Sequence, residues 1–187
     1  MKIYEYDDYD HYVAEQTKAN KRKIHWLYVK KHTIKHISKL HPFAATILCH
    51  GTRNGGEMDY FEEFYPAAEI LGTEISETAT QFKRTVQWDF AHVKEEWIGK
   101  WDIVYSNSFD HSIDPMKTLD TWKNQLSENG KMFIEYSEAH SKASIHDPLE
   151  ATHQEFKKML SDSGLIQFSE TIVGKREGSL LYALQKV

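Results

Sequence analysis

Four short clusters carry the residues able to do chemistry, and each follows an apolar run. The first is Ile47-Leu48-Cys49-His50-Gly51-Thr52-Arg53-Asn54-Gly55-Gly56-Glu57, whose glycines let a backbone turn closely under a ligand at a helix start. Glu57 stands where a Walker loop needs a lysine to neutralise phosphate. Arg53 replaces the intermediate glycine of a dinucleotide fingerprint, which leaves Gly51 and Gly55 spaced as G-x-x-x-G. Phosphate is therefore not the expected ligand, although His50, Gly51, Arg53, Asn54 and Gly55 remain candidate contacts.

The second cluster, Gly72-Thr73-Glu74-Ile75-Ser76, places Glu74 19 positions past Gly55. At that distance along a βαβ unit a carboxylate meets a ribose and can accept from both of its hydroxyls; the alternative is a solvated acid at a helix start. In the third, Val86-Gln87-Trp88-Asp89-Phe90, Asp89 can accept from an exocyclic adenine amine while Phe90 offers a face for stacking, or Asp89 is an ordinary turn residue. The fourth is Ser106-Asn107-Ser108-Phe109-Asp110-His111. Its polar groups would lie under the reactive end of whatever fills the crevice. His111, with an unperturbed pKa of about 6.5, is its candidate base, and Asp110 is a weaker one.

Positioning these clusters requires a regular scaffold. Ile24, Leu27, Tyr28, Ile34 and Ile37 fall at helical spacings within the first 40 residues, and Pro42 closes that segment. Short apolar runs at 43–49, 68–75, 85–88, 101–106 and 131–136 then alternate with helical stretches. Ser76 is the expected N-cap of a helix through Lys83, and a further helical stretch spans Val93 to Trp97. Asp114-Pro115 opens a helix that Asn129-Gly130 ends, and Asp147-Pro148 opens one that Ser163-Gly164 stops. Residues 165–173 and 179–186 read as a terminal hairpin. The alternation implies an α/β fold whose mainly parallel sheet is covered on both faces, with a ligand crevice beyond the carboxyl ends of its strands.

The 187 residues, 40% of them apolar, fit one domain, read as an amino-terminal helical segment over 1–42 and a core over 43–187. A single cysteine, Cys49, excludes a disulfide framework. No apolar run is long enough to span a membrane, and the start of the chain has no secretory signal, so a cytoplasmic protein is expected. Net charge is -5, which argues against a general nucleic-acid coat. Residues 16–56 nevertheless hold nine Lys or Arg and no acid, a face able to steer an anion or simply a wet helix surface. His32 and His36, four apart, can share a helix face, but no third ligand accompanies them and no metal site is expected.

From about Thr46 to Ile134 the chain resembles the class I S-adenosylmethionine-dependent methyltransferases, especially the small single-domain kind. The resemblance rests on the strand and glycine loop over 47–55, on Gly72-Thr73-Glu74-Ile75-Ser76, and on the run from Trp101 to Pro115, followed by Leu126-Ser127-Glu128-Asn129-Gly130-Lys131-Met132-Phe133-Ile134. It implies a Rossmann-like three-layer αβα sandwich with a mainly parallel seven-stranded sheet and an antiparallel strand in the terminal hairpin. It also implies S-adenosylmethionine as cofactor, held by the 50–55 loop, Glu74, Ile75, Asp89, Phe90, Ser106, Asn107 and Ser108. Two positions depart from the family: Cys49 replaces the usual acid at the end of the first strand, and Arg53 replaces a loop glycine. Backbone amides near Gly51 to Gly55 are expected at the methionine carboxylate, with Arg53 adding a charge-assisted contact.

The implied activity is methyl transfer to a small molecule, such as a saccharide or metabolite hydroxyl or amine. The irregular 137–146 segment, with His140 and His146, is the expected lid. The amino-terminal helix is the other wall, and its Lys21, Arg22 and Lys23 would favour an acidic acceptor. A non-catalytic cofactor-binding protein and a nucleic-acid or protein methyltransferase remain open as alternatives, while the glycine spacing opposes an NAD-dependent dehydrogenase.

Overall fold

The computed structural model describes residues 1–138, 142–174 and 178–187. The chain begins with a two-residue strand, β1 (Lys2–Ile3), and the helices α1 (Tyr9–Arg22) and α2 (Lys31–Leu40). The alternating part comprises β2 (Thr46–His50), α3 (Gly56–Phe64), β3 (Glu69–Glu74), β4 (Thr85–Gln87), β5 (Trp101–Ser106), α4 (Pro115–Gln125) and β6 (Leu126–Tyr136). It continues through β7 (Leu149–Glu150), α5 (His153–Asp162), β8 (Leu165–Gly174) and β9 (Ser179–Lys186).

Seven strands form one sheet in the order β4-β3-β2-β5-β6-β9-β8. Of the seven, β9 is the reversed strand, pairing antiparallel with β6 on one side and β8 on the other, while the remaining pairs are parallel. Side chains alternate across the pleat, so Ile47, Cys49, Ile103 and Tyr105 face one side while Leu48 and Val104 face the other. Ile34 and Ile37 of α2 and Phe61 of α3 cover the first face; Leu119 and Trp122 of α4 and Phe156 and Leu160 of α5 cover the second. All of these but Leu160, itself 2% exposed, have at most 1% exposure, and burying each large apolar side chain contributes about 1.5–3 kcal/mol. The strands are long enough to carry both cores, so their carboxyl tips are held rigidly. Among the described residues, no helix is long and apolar enough to cross a membrane.

Several expected boundaries move. The amino-terminal helix is two helices, because residues 24–28 leave the helix to meet the glycine loop. The side-chain amide of Asn54 donates to Ile24 O at 2.8 Å, and the Leu27 side chain lies so close over Gly56 that a Cβ there would sit 2.9 Å from it. The helices expected at 76–83 and 93–97 are reduced to 3-10 turns over Glu77–Gln81 and Glu95–Trp97, although Ser76 does cap the first by accepting from Thr78 N–H.

Helix α4 starts as expected, with Asp114 accepting from Lys117 N–H at 3.1 Å, but it ends at Gln125. Gly130 lies inside β6, where a Cβ would stand 2.6 Å from the Trp101 carbonyl oxygen, so its task is close strand approach rather than helix termination. Asp147-Pro148 opens no helix. Leu149–Glu150 pairs instead with Lys2–Ile3, and α5 begins after Thr152, which forms a reciprocal capping box with Glu155.

Candidate functional site

The chain leaves β2 towards β3 and leaves β5 towards β6, so a crevice opens above the adjacent tips of β2 and β5. The two tips are locked together by serines. Ser106 Oγ donates to His50 O and accepts from Ser108 N–H, both at 3.0 Å, while Ser108 Oγ donates to Gly51 O at 3.2 Å. Gly51 has φ 72°, and a Cβ there would lie 2.6 Å from Ser108 Cβ. Glycine at this position therefore answers two demands, a left-handed backbone and a close crossing of loops.

One cavity of the crevice is walled by Glu74, Ile75, Asp89 and Phe90. Glu74 is 7% exposed; it accepts from Arg53 N–H and from Ser76 N–H, each at 3.0 Å. Burial raises its pKa while the two amides pull it down. Asp89 accepts from Ala91 N–H and from the Tyr9 hydroxyl, each at 2.8 Å. Burial and the neighbouring Asp89 carboxylate push the Tyr9 phenol well up, so it stays a donor.

The opposite wall of this cavity is α1, which presents Tyr12, Gln16, Ala19 and Asn20. Asn20 is buried and oriented, its Oδ1 accepting from the Thr78 hydroxyl at 2.9 Å. Its Nδ2 has no hydrogen-bond partner among the described residues.

A second cavity, about 190 Å³, shares Lys23, Gly51, Arg53, Ser108 and His111 with the first. Its other walls include Trp26, Tyr28, Glu57, Asn107, Glu135 and Asp147. His111 joins both spaces. Gln16 Nε2 donates to His146 O at 3.1 Å, which turns Gln16 Oε1 towards His111 Nδ1 at 2.8 Å. The network therefore assigns a hydrogen to Nδ1 and leaves Nε2 facing Asp147 and Asp110, 3.7 Å and 4.0 Å away. Asp110, His111 and Asp147 each offer one ligand atom within 4.8 Å of the others, the one such group among the described residues. The histidines singled out by spacing serve elsewhere: His32 Nε2 donates to Val173 O, and His36 Nε2 shares a hydrogen bond with Thr171 Oγ1, both at 3.0 Å, joining α2 to β8.

No family model matches the sequence, and no curated protein does. Solved structures match along nearly the whole length. The Burkholderia thailandensis 1,6-didemethyltoxoflavin-N1-methyltransferase, with 1,6-didemethyltoxoflavin and S-adenosylhomocysteine bound, superposes with a TM-score of 0.78 at 15% identity, over 98% of this chain and 92% of that one. A TehB-like SAM-dependent methyltransferase from Corynebacterium glutamicum gives 0.65 at 15% identity, over 96% and 100%. The [4+2]-cyclase SpnF gives 0.67 at 10% identity, over 84% and 81%.

The chain has the class I methyltransferase fold. Within that fold most of the expected contacts gather: Gly51, Arg53, Glu74, Ile75, Asp89, Phe90, Ser108 and His111 wall the first cavity, and Asn54 and Asn107 wall the second.

Three expected contacts turn away from the crevice. The His50 ring is 1% exposed, stacked 4.8 Å from Trp122 and held by Thr73 Oγ1 at 2.9 Å and Gln125 Oε1 at 2.8 Å; burial pushes its pKa down to about 4, so it is a neutral core group. Ser106 is spent on the loop lock. Gly55, with φ 74°, is the N-cap of α3, where a Cβ would meet Met58 Cε at 2.7 Å. The loop amides are also engaged internally. Gly51 N–H and Thr52 N–H both donate to Thr73 O at 2.9 Å, Arg53 N–H to Glu74, and Gly55 N–H to Thr52 O at 2.7 Å. A carboxylate expected at this loop would meet the amides of Gly51, Thr52, Arg53 and Gly55 already paired. His140 lies outside the described residues.

Arg53 adopts φ 47°, the left-handed conformation that explains why glycine suits this place, at a cost of about 1–2 kcal/mol for a residue with a Cβ. Its guanidinium donates to Trp26 O at 3.3 Å and lies over the Tyr28 ring at 5.0 Å, fastening the segment between α1 and α2 to the loop. Lys21 pairs with Glu77, so Lys23 is the one residue of the expected Lys21-Arg22-Lys23 face that walls the cavities.

Sequence reasoning missed Tyr9, Gln16, Asn20 and Glu57. Gln16 and Asn20 share the buried stripe of α1 with Tyr12 and Ala19 at helical spacings, and Tyr9 flanks it half-exposed with its hydroxyl on Asp89. That stripe was concealed because its members are polar, and an apolar periodicity is what marks a buried face.

Proposed function

We propose that the protein is an S-adenosylmethionine-dependent methyltransferase acting on a small molecule, such as a saccharide or metabolite hydroxyl or amine. One observation carries the reading: Glu74 and Asp89, from the tips of two successive strands, wall one cavity that passes by Gly51, Ser108 and His111 into a second. A nucleoside fits the first cavity chemically. The unpartnered Asn20 Nδ2 is a buried donor that asks for an acceptor, and such groups are costly unless satisfied; a ribose hydroxyl or an adenine ring nitrogen supplies one.

When bound, S-adenosylmethionine would supply a sulfonium-activated methyl group to a nucleophile. In this chain Glu74 would accept from the ribose hydroxyls with the lone pairs its two amide donors leave. Asp89 would accept from the adenine amine, and Phe90 and Ile75 would flank the base. Tyr9, Tyr12 and Gln16 on α1 would exclude water from that side, which favours alignment of the reacting groups. His111 Nε2, turned towards the second cavity by Gln16, would take the proton of a hydroxyl acceptor. Lys23 on the wall of that cavity would favour an acceptor carrying an acidic group.

The Burkholderia enzyme with its bound nucleoside product supports the reading, while SpnF shows that the same fold also serves a cyclase, so the activity needs a direct test. Isothermal titration of the protein with S-adenosylhomocysteine should show saturable binding that Glu74→Ala abolishes. Labelled methyl transfer from S-adenosylmethionine to a panel of hydroxyl and amine metabolites then identifies the acceptor. Absence of binding by the wild-type protein would falsify the cofactor assignment, and binding with no transfer to any acceptor would favour a non-catalytic role.

A further inference from the structure

Glu57 is the acid that the preceding reading leaves unexplained. It lies in the first turn of α3 at 3% exposure, yet it walls the second cavity. Among the described residues no hydrogen bond or ion pair from another residue reaches its carboxylate; its own backbone N–H is its hydrogen-bonding neighbour, and Arg53 acts on it only as a nearby charge. Cys49 below it is fully buried and contributes no donor strong enough to hold an anion. Burial pushes its pKa up to about 8, and the acidic groups Glu74 and Glu135 add to the rise. A buried carboxyl this poorly compensated is costly unless something positive, with hydrogens to donate, arrives in the cavity.

Resting on the nucleoside reading, we propose that Glu57 receives the α-ammonium group of the amino-acid tail of the adenosyl ligand. The order of groups along the crevice supports this. A ligand whose ribose lies at Glu74 runs past Gly51, Arg53 and Ser108, three of the residues common to both cavities, and enters the space that Glu57 walls. A sulfonium has no N–H, whereas an ammonium donates up to three hydrogen bonds and offers a full charge to a group shielded from water. Arg53, close enough to be felt by Glu57, is then placed for the carboxylate of the same tail. The salt-bridge logic also gives a proton inventory. Glu57 is largely protonated in the ligand-free protein at pH 7, and docking of the ammonium ionises it, so a proton leaves to solvent as the ligand enters.

The test uses two nucleosides, S-adenosylhomocysteine and 5′-methylthioadenosine, which lacks the amino-acid tail. In Glu57→Gln, S-adenosylhomocysteine should bind about 10- to 100-fold more weakly, as expected for a lost charge-assisted hydrogen bond, while 5′-methylthioadenosine keeps its wild-type affinity and shows that the pocket is intact. Titrations of the wild-type protein in buffers of different ionisation enthalpy at pH 7 should show proton release with S-adenosylhomocysteine and none with 5′-methylthioadenosine. Equal S-adenosylhomocysteine affinity in the two proteins, with no proton release, would overturn the role of Glu57 alone. Failure of both nucleosides to bind the wild-type protein would overturn the cofactor reading beneath it.

Discussion

The backbone amide of Arg53 donates to Glu74 Oε2 across 3.0 Å. Through that bond the loop after β2 and the tip of β3 become one unit, and the strained φ of 47° at Arg53 is the conformation that aims the amide at the carboxylate. The acid is thereby fixed before any ligand arrives, which lowers the ordering cost of binding.

Glu74 should be the most sensitive position for nucleoside affinity. Glu74→Ala removes both acceptor oxygens and orphans two buried amides, and should weaken S-adenosylhomocysteine by at least about 100-fold, read by calorimetry. Glu74→Gln keeps one carbonyl acceptor and should fall between that variant and the wild type. Similar affinity in all three proteins would remove the ribose role.

Asn20→Leu deletes the unpartnered donor that α1 sends into the first cavity. Leucine also removes the acceptor of the buried Thr78 hydroxyl, so the ligand-free stability should fall by about 1 kcal/mol, whereas S-adenosylhomocysteine should bind about 5- to 20-fold more weakly. A large drop in melting temperature with unchanged affinity would assign Asn20 to packing through its bond to Thr78.

His111→Ala should lower methyl transfer to a hydroxyl acceptor by about 10²- to 10⁴-fold while leaving cofactor affinity near its wild-type value, the signature of a proton acceptor. Gln16→Leu should lower turnover less, because the imidazole loses only its orientation. Chelators should leave the rate unchanged, since Nε2 cannot at once accept the acceptor's proton and ligate a cation. A rate that vanishes with chelation and returns with a divalent metal would reassign Asp110, His111 and Asp147 as ligands.

Glu57 also governs how the ligand-free protein responds to pH. Its folded pKa of about 8 exceeds its unfolded value of about 4.5, so between those limits the folded state binds more protons than the unfolded one. The contribution is therefore full below pH 4.5 and is lost as pH rises towards 8. Glu57→Gln should match the wild type near pH 4.5 and exceed it by on the order of 4 kcal/mol at pH 8, as read by urea unfolding at the two pH values. A constant difference across this range would mean that the carboxyl does not titrate there.

Arg53→Gly relieves the left-handed strain and should raise stability by up to about 1 kcal/mol, offset in part by glycine's greater freedom in the unfolded chain. The same change frees Trp26 and Tyr28 from the loop. The acceptor KM should therefore rise while the melting temperature holds or increases; an unchanged KM would detach that segment from acceptor binding.

The sequence by itself determined the order along the chain of the seven strands in the main sheet and of the helices α3, α4 and α5 between them, the reversed strand in the terminal hairpin, and the location of chemistry at successive strand tips. These are local matters. Apolar alternation, Asp114-Pro115 and Ser163-Gly164 act within a few residues of themselves, and Glu74 and Asp89 follow their strands directly. Tertiary structure alone decided which polar groups enter the crevice. His50 alternates into the core and meets Trp122, whereas Glu57 turns inward to a cavity. Asp147 leaves the expected helix start because β1 pairs with Leu149–Glu150 and draws it towards His111. The α1 residues Tyr9, Gln16 and Asn20 bond to residues that follow the strands, 80, 95 and 58 positions away in sequence. A polar side chain's worth depends on the partner that satisfies it, and those partners come together only when the chain closes on itself.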